Sequence, residues 1–367
     1  MNTKRAPKVR FKGFTDAWEQ RKLGELVDVC SGRDYKHLSE GDIPVYGTGG
    51  YMLSVSEALS YDKDAIGIGR KGTIDKPYIL NAPFWTVDTL FYAIPKEKVD
   101  LNFAFDIFQN INWKKKDEST GVPSLSRTAI NEIHILVPQY DEQQVLGQLF
   151  YGIDRLIALH QRKLDKMKEL KKAFLNLIFS QKLRFYGFTD SWELRKFESI
   201  AARASSISAD PTLPRVEYED IISGIGLLNK DVKLKGISKP GIVFNQGDIL
   251  YGKLRPYLHN WFLPSFSGLA VGDFWVLQPK DADSSFLFRL IQGQQFDDVA
   301  NQSIGTKMPR ADWNLVSKTL FFVPTSIDEQ ALIGRYFRSI DNLITLYQKK
   351  IDSSKEMKKI LLKNMLI

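Results

Sequence analysis

Apolar residues recur at alternating spacings of three and four along two long segments of the chain, a pattern typical of helices that pack against each other. Each segment begins near an aspartate, Asp141 or Asp328. The pattern predicts helices of about 40 residues, or roughly 60 Å at about 1.5 Å per residue. The seam positions are Phe150, Ile153, Ile157, His160, Leu164, Met167, Lys171, Phe174 and Ile178 in the first helix, and Phe337, Ile340, Ile344, Tyr347, Ile351, Ser354, Lys358, Leu361 and Met365 in the second.

A lysine occupies the same seam position in each helix, Lys171 in the first and Lys358 in the second. Because burying an unpaired ammonium group is costly, we expect the seam to drift there toward Leu170 and Met357. The apolar flank that remains is also open to another interpretation, the docking of helices from a partner.

Connectivity predicts how the two helices pair. The segment between them begins where the first helix ends and ends where the second begins. An antiparallel pair places those two points side by side, whereas a parallel pair forces the segment to span a whole helix. We therefore predict an antiparallel coiled coil with a globular domain at each end, related by a pseudo-two-fold axis.

Short apolar runs between Gly and Pro residues fill the remaining chain, which is typical of β-strands and turns. In the first part, residues 63–71 read as a strand that runs into a basic loop, and residues 247–255 resemble them in the second part. Residues 87–91 and 272–276 resemble each other in the same way. The pattern predicts the α+β class, with two copies of one domain.

An internal repeat supports this organisation. VPQYDEQQ at 137–144 returns as VPTSIDEQ at 323–330, each time before a long helix. We expect domains at 1–140 and 184–326, with helices at 141–183 and 327–367. At one constant spacing the opening motif FKGFTDAWEQRK returns as FYGFTDSWELRK, with the identical pairs Phe11/Phe185, Gly13/Gly187, Phe14/Phe188, Thr15/Thr189, Asp16/Asp190, Trp18/Trp192, Glu19/Glu193, Arg21/Arg195 and Lys22/Lys196.

Composition narrows the class of protein further. The formal net charge of +8 is compatible with a polyanionic partner. The single cysteine, Cys30, cannot form an internal disulfide, and the four histidines lack metal-ligand spacing, so we expect no metal site. Neither an apolar run of membrane-spanning length nor a secretory h-region is found, which predicts a cytoplasmic chain without membrane contact.

The duplicated GFTD-x-WE-x-RK motif, the VP turn with DEQ before each helix, and the tandem order of globular part and helix resemble the specificity subunits of type I restriction-modification enzymes. The resemblance covers essentially the whole chain. It implies two target-recognition domains, each reading half of a split site in double-stranded DNA, and helices that act as conserved spacers. It also implies two bound methyltransferase (modification) subunits, a core that the restriction (motor and nuclease) subunits join, and no catalysis by this chain.

In the first domain, candidate DNA contacts lie in a Gly-rich loop, in a basic turn and just before the helix. Glycine permits close approach of the backbone, and its neighbours supply donors. A tight turn with a solvated charge is an equally good interpretation for any one of them. The candidates are Thr48, Gly49, Tyr51, Arg70, Lys71, Thr73, Ser124 and Arg127.

In the second domain, basic and aromatic residues alternate at Tyr251, Lys253, Arg255 and Tyr257, and a second basic turn contains Lys307 and Arg310. Alternation along a strand also arises when one face is simply solvated. Arg255 is the leading candidate, because the guanidinium fork can donate to both major-groove acceptors of guanine.

Two segments resemble motifs of enzymes, but the residues around them argue against a catalytic role. Gly67-x-Gly69-x-x-Gly72 fits a dinucleotide fingerprint, but Pro77 argues against the helix that should follow. Asn81-Ala82-Pro83-Phe84 departs by one residue from the Asn-Pro-Pro-Phe motif of amino-methyltransferases, and no cofactor-binding βα unit precedes it. We therefore expect no cofactor.

Two hypotheses stay open beside DNA recognition, a fused methyltransferase and a coiled-coil scaffold. Strongly salt-dependent DNA binding would argue against the scaffold.

Overall fold

The computed structural model describes residues 6–232, 239–302 and 308–366. The chain forms two compact units. Unit 1 comprises the chain up to Gln161 together with the segment from Lys349 onward, and unit 2 is Arg162–Gln348. Each unit therefore combines a globular part with a portion of both long helices. Within these residues, no helix is both long enough and apolar enough to cross a membrane.

Unit 1 contains two sheets with the strand orders β2-β8-β5-β6 and β4-β3-β7, and a two-stranded pair β1-β9. All pairs are antiparallel except the parallel β3-β7 pair. The elements are β1 (Glu19–Lys22), α1 (Leu23–Leu26), β2 (Val27–Ser31), β3 (Glu40–Gly47), β4 (Gly50–Val55), β5 (Ala65–Gly69), β6 (Tyr78–Leu80), β7 (Trp85–Thr86), β8 (Leu90–Pro95), α2 (Leu101–Asn110), a 3-10 turn (Trp113–Lys116), α3 (Arg127–Asn131), β9 (His134–Val137) and α4 (Tyr140–Phe179), which continues into unit 2.

Unit 2 repeats this plan. Its sheet β11-β20-β17-β18 has the strand order of β2-β8-β5-β6, and the sheet β12-β16-β19-β13 and the pairs β10-β21 and β14-β15 complete the unit. The elements are β10 (Glu193–Lys196), α5 (Phe197–Ile200), β11 (Ala201–Arg203), β12 (Ile207–Ser208), β13 (Arg215–Val216), a 3-10 turn (Tyr218–Asp220), β14 (Ile221–Ile222), β15 (Leu227–Leu228), β16 (Gly241–Phe244), β17 (Ile249–Gly252), a 3-10 turn (Pro256–Leu258), β18 (Trp261–Phe262), β19 (Gly268–Ala270), β20 (Phe274–Pro279), α6 (Ser284–Leu290), α7 (Gln294–Ala300), α8 (Trp313–Lys318), β21 (Leu320–Val323) and α9 (Ile327–Met365).

The shared strand order confirms the predicted α+β fold with two copies of one domain. The register also corrects the sequence comparison, which pairs Arg255 with Lys71. The backbone N–H of Gly72 donates to the carbonyl of Pro123 at 2.8 Å, and the N–H of Arg255 donates to that of Pro309 at 2.7 Å. Arg255 therefore corresponds to Gly72, and Gly69, the last residue of β5, corresponds to Gly252, the last residue of β17, so the sequence comparison is shifted by one residue along both the strand and the loop.

The repeated motifs are explained by one buried contact in each unit. Glu142, which is 1% exposed, accepts hydrogen bonds from Nε and Nη2 of Arg10, both at 2.6 Å, and from the indole N–H of Trp18 at 3.2 Å. A bidentate, charge-assisted pair satisfies a buried carboxylate. The opening motif and the DEQ motif thus hold each other at the start of the helix. The same contact recurs in unit 2 between Glu329, Arg184 and Trp192.

The long helices pair antiparallel within each unit, as predicted. Most apolar seam positions are buried, among them Phe150, Leu164, Phe337 and Ile351. In unit 2 the contacts between α4 and α9 run in opposite numerical directions: Lys163 faces Tyr347, Lys171 faces Asp341, and Phe174 faces Tyr336.

The predicted drift of the seam away from its lysines is wrong. Nζ of Lys358, a residue only 8% exposed, lies 2.6 Å from Oδ2 of Asp154 in unit 1, while Met357 is 56% exposed. In unit 2, Nζ of Lys171 lies 2.8 Å from Oδ1 of Asp341. Each lysine stays in the seam because an aspartate of the opposite helix neutralises it.

Candidate nucleic-acid interface

In unit 1, the basic turn after β5 and the loop before α3 enclose an open cleft of about 990 Å³. Lys71 bridges to Ser124 across the cleft, and the N–H of Leu125 donates to the carbonyl of Arg70 at 2.9 Å. These backbone contacts fix the two walls relative to each other. Arg70, Lys71, Ser124 and Arg127, all predicted from the sequence, line this one cleft.

The cations in this cleft are exposed and only loosely held. Nη1 of Arg70 donates to the carbonyl of Asp88 at 3.3 Å, and its guanidinium lies 5.8 Å from the ring centroid of Phe91. Nη2 of Arg127 donates to Oγ of Ser31 at 3.2 Å. Long neutral-acceptor contacts leave most guanidinium N–H groups available. The arrangement can therefore present donors to phosphates or to base edges.

The Gly-rich loop is the two-residue turn of the β3–β4 hairpin, with Thr48 and Gly49 between the paired Gly47 and Gly50. Gly50 has φ +107, a backbone conformation that favours glycine. A Cβ placed on Gly72 would lie 4.0 Å from Oγ1 of Thr48, so the hairpin turn reaches the basic turn.

Two further predicted residues belong to the same surface. Tyr51 is 63% exposed at the start of β4, and its hydroxyl lies 3.3 Å from Oγ of Ser54. Thr73 ends the tight turn after β5, where its carbonyl oxygen would lie 2.0 Å from a Cβ on Gly69. The predicted residues of unit 1 therefore fall on three neighbouring segments, the β3–β4 hairpin, the turn after β5 and the segment that leads into α3.

In unit 2, the corresponding loops carry a cluster of charges around Asp273. Nζ of Lys253 lies 3.6 Å from Oδ1 of this carboxylate, and Nη2 of Arg310 lies 3.1 Å from Oδ2. Arg310 bridges to Leu254 as Ser124 bridges to Lys71 in unit 1. Two cations on one partly exposed carboxylate leave a net positive loop.

Arg255 immediately precedes the 3-10 turn Pro256–Leu258 beside this cluster, with a left-handed backbone at φ +50. Its Nε is buried and has no hydrogen-bond partner among the residues that the structure describes. Tyr257 is 52% exposed two residues later. The loop thus presents a strained arginine and an exposed aromatic ring next to Lys253 and Arg310.

One predicted contact is wrong, and another cannot be placed. Tyr251 is 1% exposed and stacks on Trp275 with ring centroids 5.6 Å apart, because both faces of β17 are covered. Burial raises the pKa of its hydroxyl above the usual value. Tyr251 is therefore a core residue, and it contributes no side chain to the surface. Lys307 lies outside the described residues.

The cleft of unit 1 also contains a loop that the sequence analysis did not single out, residues 118–122. Oδ1 of Asp117 anchors this loop by accepting hydrogen bonds from N and Oγ of Ser119, at 3.0 and 2.8 Å, and from N of Ser124 at 2.9 Å. The same hydrogen bonds lower the pKa of Asp117. An aspartate followed by Ser and Gly residues is the sequence signal that could have revealed such a turn.

Comparison with known proteins links these features to one family. Residues 15–169 match the family model described as Type I restriction modification DNA specificity domain. The chain is 21% identical to the MjaVIII type I restriction enzyme specificity subunit of Methanocaldococcus jannaschii, over 67% of this chain but only 64% of that protein. It is 20% identical to the EcoDI specificity subunit of Escherichia coli, over 87% of this chain and 80% of that protein.

Solved structures agree on the fold. The S subunit of a type I restriction-modification system from M. genitalium superimposes with a TM-score of 0.71 at 14% identity, covering 99% of both chains. A chain from a structure that describes complex assembly and conformational transition of the type I R-M system gives a TM-score of 0.52 at 12% identity, covering 96% of this chain and 98% of that one. The family match, the relatives and the fold confirm the resemblance found in the sequence.

Proposed function

We propose that this chain, a relative of the type I restriction-modification specificity subunits, recognises DNA for such an enzyme and that each unit reads one half of a bipartite site. The observation that carries the proposal is the repetition of one surface in both units: the loop after the third strand of the sheet (β5 or β17) pairs with the loop before α3 or α8. Both loops carry cations at this point, and they differ in sequence between the units. Two readers of one architecture with different loops suit two different half-sites.

The chemistry of the two surfaces favours DNA over other polyanions. Arg70, Lys71 and Arg127 supply donors around an open cleft in unit 1. Lys253, Arg255 and Arg310 supply donors on the corresponding loops of unit 2. Lysine and arginine contacts to phosphate position a protein on the duplex, whereas arginine forks and short polar side chains identify bases. Ser124, Thr48 and Thr73 supply such short side chains in unit 1.

The proposed role is recognition without catalysis, and methyl transfer belongs to the partner subunit. The alternative of a fused methyltransferase would require a cofactor-binding βα unit, and the segment after Gly72 runs into β6 instead of a helix. The scaffold alternative leaves the two cationic surfaces without a role. The proposed partners are double-stranded DNA, two methyltransferase subunits and, through that core, the restriction subunits, in the cytoplasm.

Exposed leucines on the long helices supply the proposed docking surface for the methyltransferase subunits. In unit 1, α4 exposes Leu156 and Leu159, at 44% and 47%. In unit 2, α9 exposes Leu343 and Leu346, at 42% and 46%, at the equivalent positions of the repeat. Residues three apart lie on one face of a helix, so each pair forms a small apolar patch. One patch in each unit suits two copies of one partner.

The docking proposal is tested by mass measurement of the assembled complex. Replacing Leu156 and Leu159 by Glu should reduce the bound methyltransferase from two copies to one, because charges on an apolar contact oppose its burial. Replacing Leu343 and Leu346 by Glu should remove the other copy. Two copies retained in both variants would contradict the proposal.

DNA recognition itself is tested by binding at several salt concentrations, with the chain assembled on its methyltransferase. Replacing Arg70 and Lys71 by Ala should weaken DNA binding and make it less dependent on salt. In a plot of the logarithm of the binding constant against the logarithm of the salt concentration, the slope should become shallower by about one unit for each phosphate that the protein no longer neutralises. Lys63→Ala is the matched control, since this exposed lysine lies at the other end of β5. An equal effect of the control, or no effect of the double variant, would refute the role of this cleft.

A further inference from the structure

An exposed apolar side chain occupies the same position in both units. Val122 is 56% exposed and lines the cleft of unit 1, and Met308 is 49% exposed in unit 2. Each precedes a proline, Pro123 or Pro309, whose carbonyl accepts the equivalent backbone hydrogen bond from the loop after β5 or β17. The polar residues around them differ between the units, yet the apolar character is kept.

The backbone around Val122 prevents this side chain from withdrawing into the protein. Asp117 holds the start of the loop through Ser119 and also binds the N–H of Ser124. The carbonyl of Pro123 accepts a hydrogen bond from Gly72, and Ser124 pairs with Lys71. Val122 is thus held between two anchors, with its isopropyl group in water. Exposing such a group forgoes about 1 kcal/mol or more of hydrophobic stabilisation.

We propose that Val122 and Met308 each contact the 5-methyl group of a thymine in the half-site that their unit reads. This inference rests on the function proposed above. The major groove offers one apolar group on its base edges, the thymine methyl, and an aliphatic side chain is the partner that recognises it. Arg70, Lys71 and Arg127 line the same cleft as Val122. Because these cations attract a polyanion, DNA is a better partner for Val122 than an uncharged protein surface.

The test uses the chain assembled on its methyltransferase subunit and a duplex that contains its methylated site. Each thymine of the half-site read by unit 1 is replaced in turn by deoxyuridine, which removes only the methyl group. For the unaltered chain, one replacement should weaken binding about fourfold, the value expected for one buried methyl group. Val122→Ala should abolish that difference at the same base and leave the other thymines unaffected.

Val9→Ala is the matched control, because Val9 is an exposed valine of the same unit, 47% exposed, outside the cleft. It should keep the fourfold difference. Met308→Ala should act in the same way on the half-site read by unit 2 and leave the first half unchanged.

The inference is overturned if no thymine has a methyl group that affects binding, if the half-site contains no A·T pair, or if the deoxyuridine effect persists in Val122→Ala. Loss of methyltransferase binding in Val122→Ala with an unchanged deoxyuridine effect would assign the residue to a protein contact, and this also overturns it. If the unaltered complex prefers no DNA sequence at all, the proposed function itself has failed, so the two failures are distinguishable.

Discussion

At the scale of single residues, Gly72 and Arg255 occupy one backbone position with different consequences. Both have positive φ, +96 and +50, and both donate their N–H to a proline carbonyl. Glycine adopts this conformation freely, whereas other residues incur about 1–2 kcal/mol. Unit 2 therefore holds an arginine where the backbone favours glycine. Strain that persists at a surface loop points to a function of the side chain.

Two substitutions separate the strain at Arg255 from its function. Arg255→Gly and Arg255→Ala both remove the guanidinium, but only glycine relieves the left-handed backbone. We expect Arg255→Gly to have a free energy of unfolding about 1 kcal/mol above that of Arg255→Ala. Both should weaken recognition of the half-site read by unit 2 equally, by about 1–3 kcal/mol for a bidentate base contact.

Denaturant unfolding and DNA binding measured on both variants check this prediction. Equal stabilities would show that the backbone of Arg255 is not strained. Unchanged binding in both variants would remove the guanidinium from the recognition surface.

The exposure of a residue could be predicted from sequence where glycines define a turn. It could not be predicted where it depends on packing between distant parts of the chain. The basic turn at Arg70 and Lys71 follows from its flanking glycines. Tyr251 failed because alternation cannot reveal that both faces of β17 are covered, one of them by Trp275. Val122 escaped notice because an isolated valine carries no pattern.

At the scale of elements, the ion pairs in the seam between the long helices could not be predicted from the apolar periodicity. Lys171 and Lys358 were recognisable as seam residues, but their partners, Asp341 and Asp154, lie on the opposite helix. Only the antiparallel register brings them together, and the apolar pattern alone does not define that register. In unit 2, Nη1 of Arg289 from α6 also binds Asp341, at 2.6 Å.

The corresponding helix of unit 1, α2, carries a buried acid that should make stability depend on pH. Burial, with Asp154 and Asp100 nearby and Lys358 opposing, raises the pKa of Asp106 to about 9 from 3.8. Between these values the carboxyl is protonated in the folded chain and ionised in the unfolded chain. Its stabilising contribution is complete below the ordinary pKa and is lost as the pH rises toward about 9.

Asp106→Asn should remove this dependence, because an amide of the same shape does not titrate. We expect its free energy of unfolding to gain about 2 kcal/mol relative to the unaltered chain between about pH 7 and about pH 9. Denaturant unfolding at a series of pH values measures the gain. Asp62→Asn, at an exposed position of unit 1, is the control. A gain that does not grow with pH would contradict the buried, protonated state of Asp106.

At the scale of the whole molecule, the repeat was the most predictable feature. Matching the motifs required only sequence identity, at one constant spacing for the opening motif. The structure explains them by the contacts that Glu142 and Glu329 make with the opening motifs. The sheet order was not predictable, because strand order depends on pairing between distant residues. The sequence comparison paired Arg255 with Lys71 in place of Gly72 for the same reason, because only the backbone hydrogen bonds define which residues correspond.

We propose that the antiparallel helices set the distance between half-sites. Inserting seven residues after Leu164 and after Ile351 keeps the apolar seam in phase and lengthens each helix by about 10 Å. The gap between half-sites should then widen by about three base pairs at about 3.4 Å each, with both half-sites retained. The change also turns the duplex by roughly 100°, so activity is expected to fall. Sequencing the methylated product gives the gap, and an unaltered gap would refute the proposal.

The central claim is that each unit reads its own half of the site, and the most direct measurement exchanges one reader. Residues 27–120 are replaced by the matching segment of another specificity subunit, and the complex with methyltransferase is expressed in cells whose DNA is then sequenced for methylated bases. We predict one new half-site, the other half unchanged and methylation retained. A change in both halves, or an unchanged site, would contradict this claim.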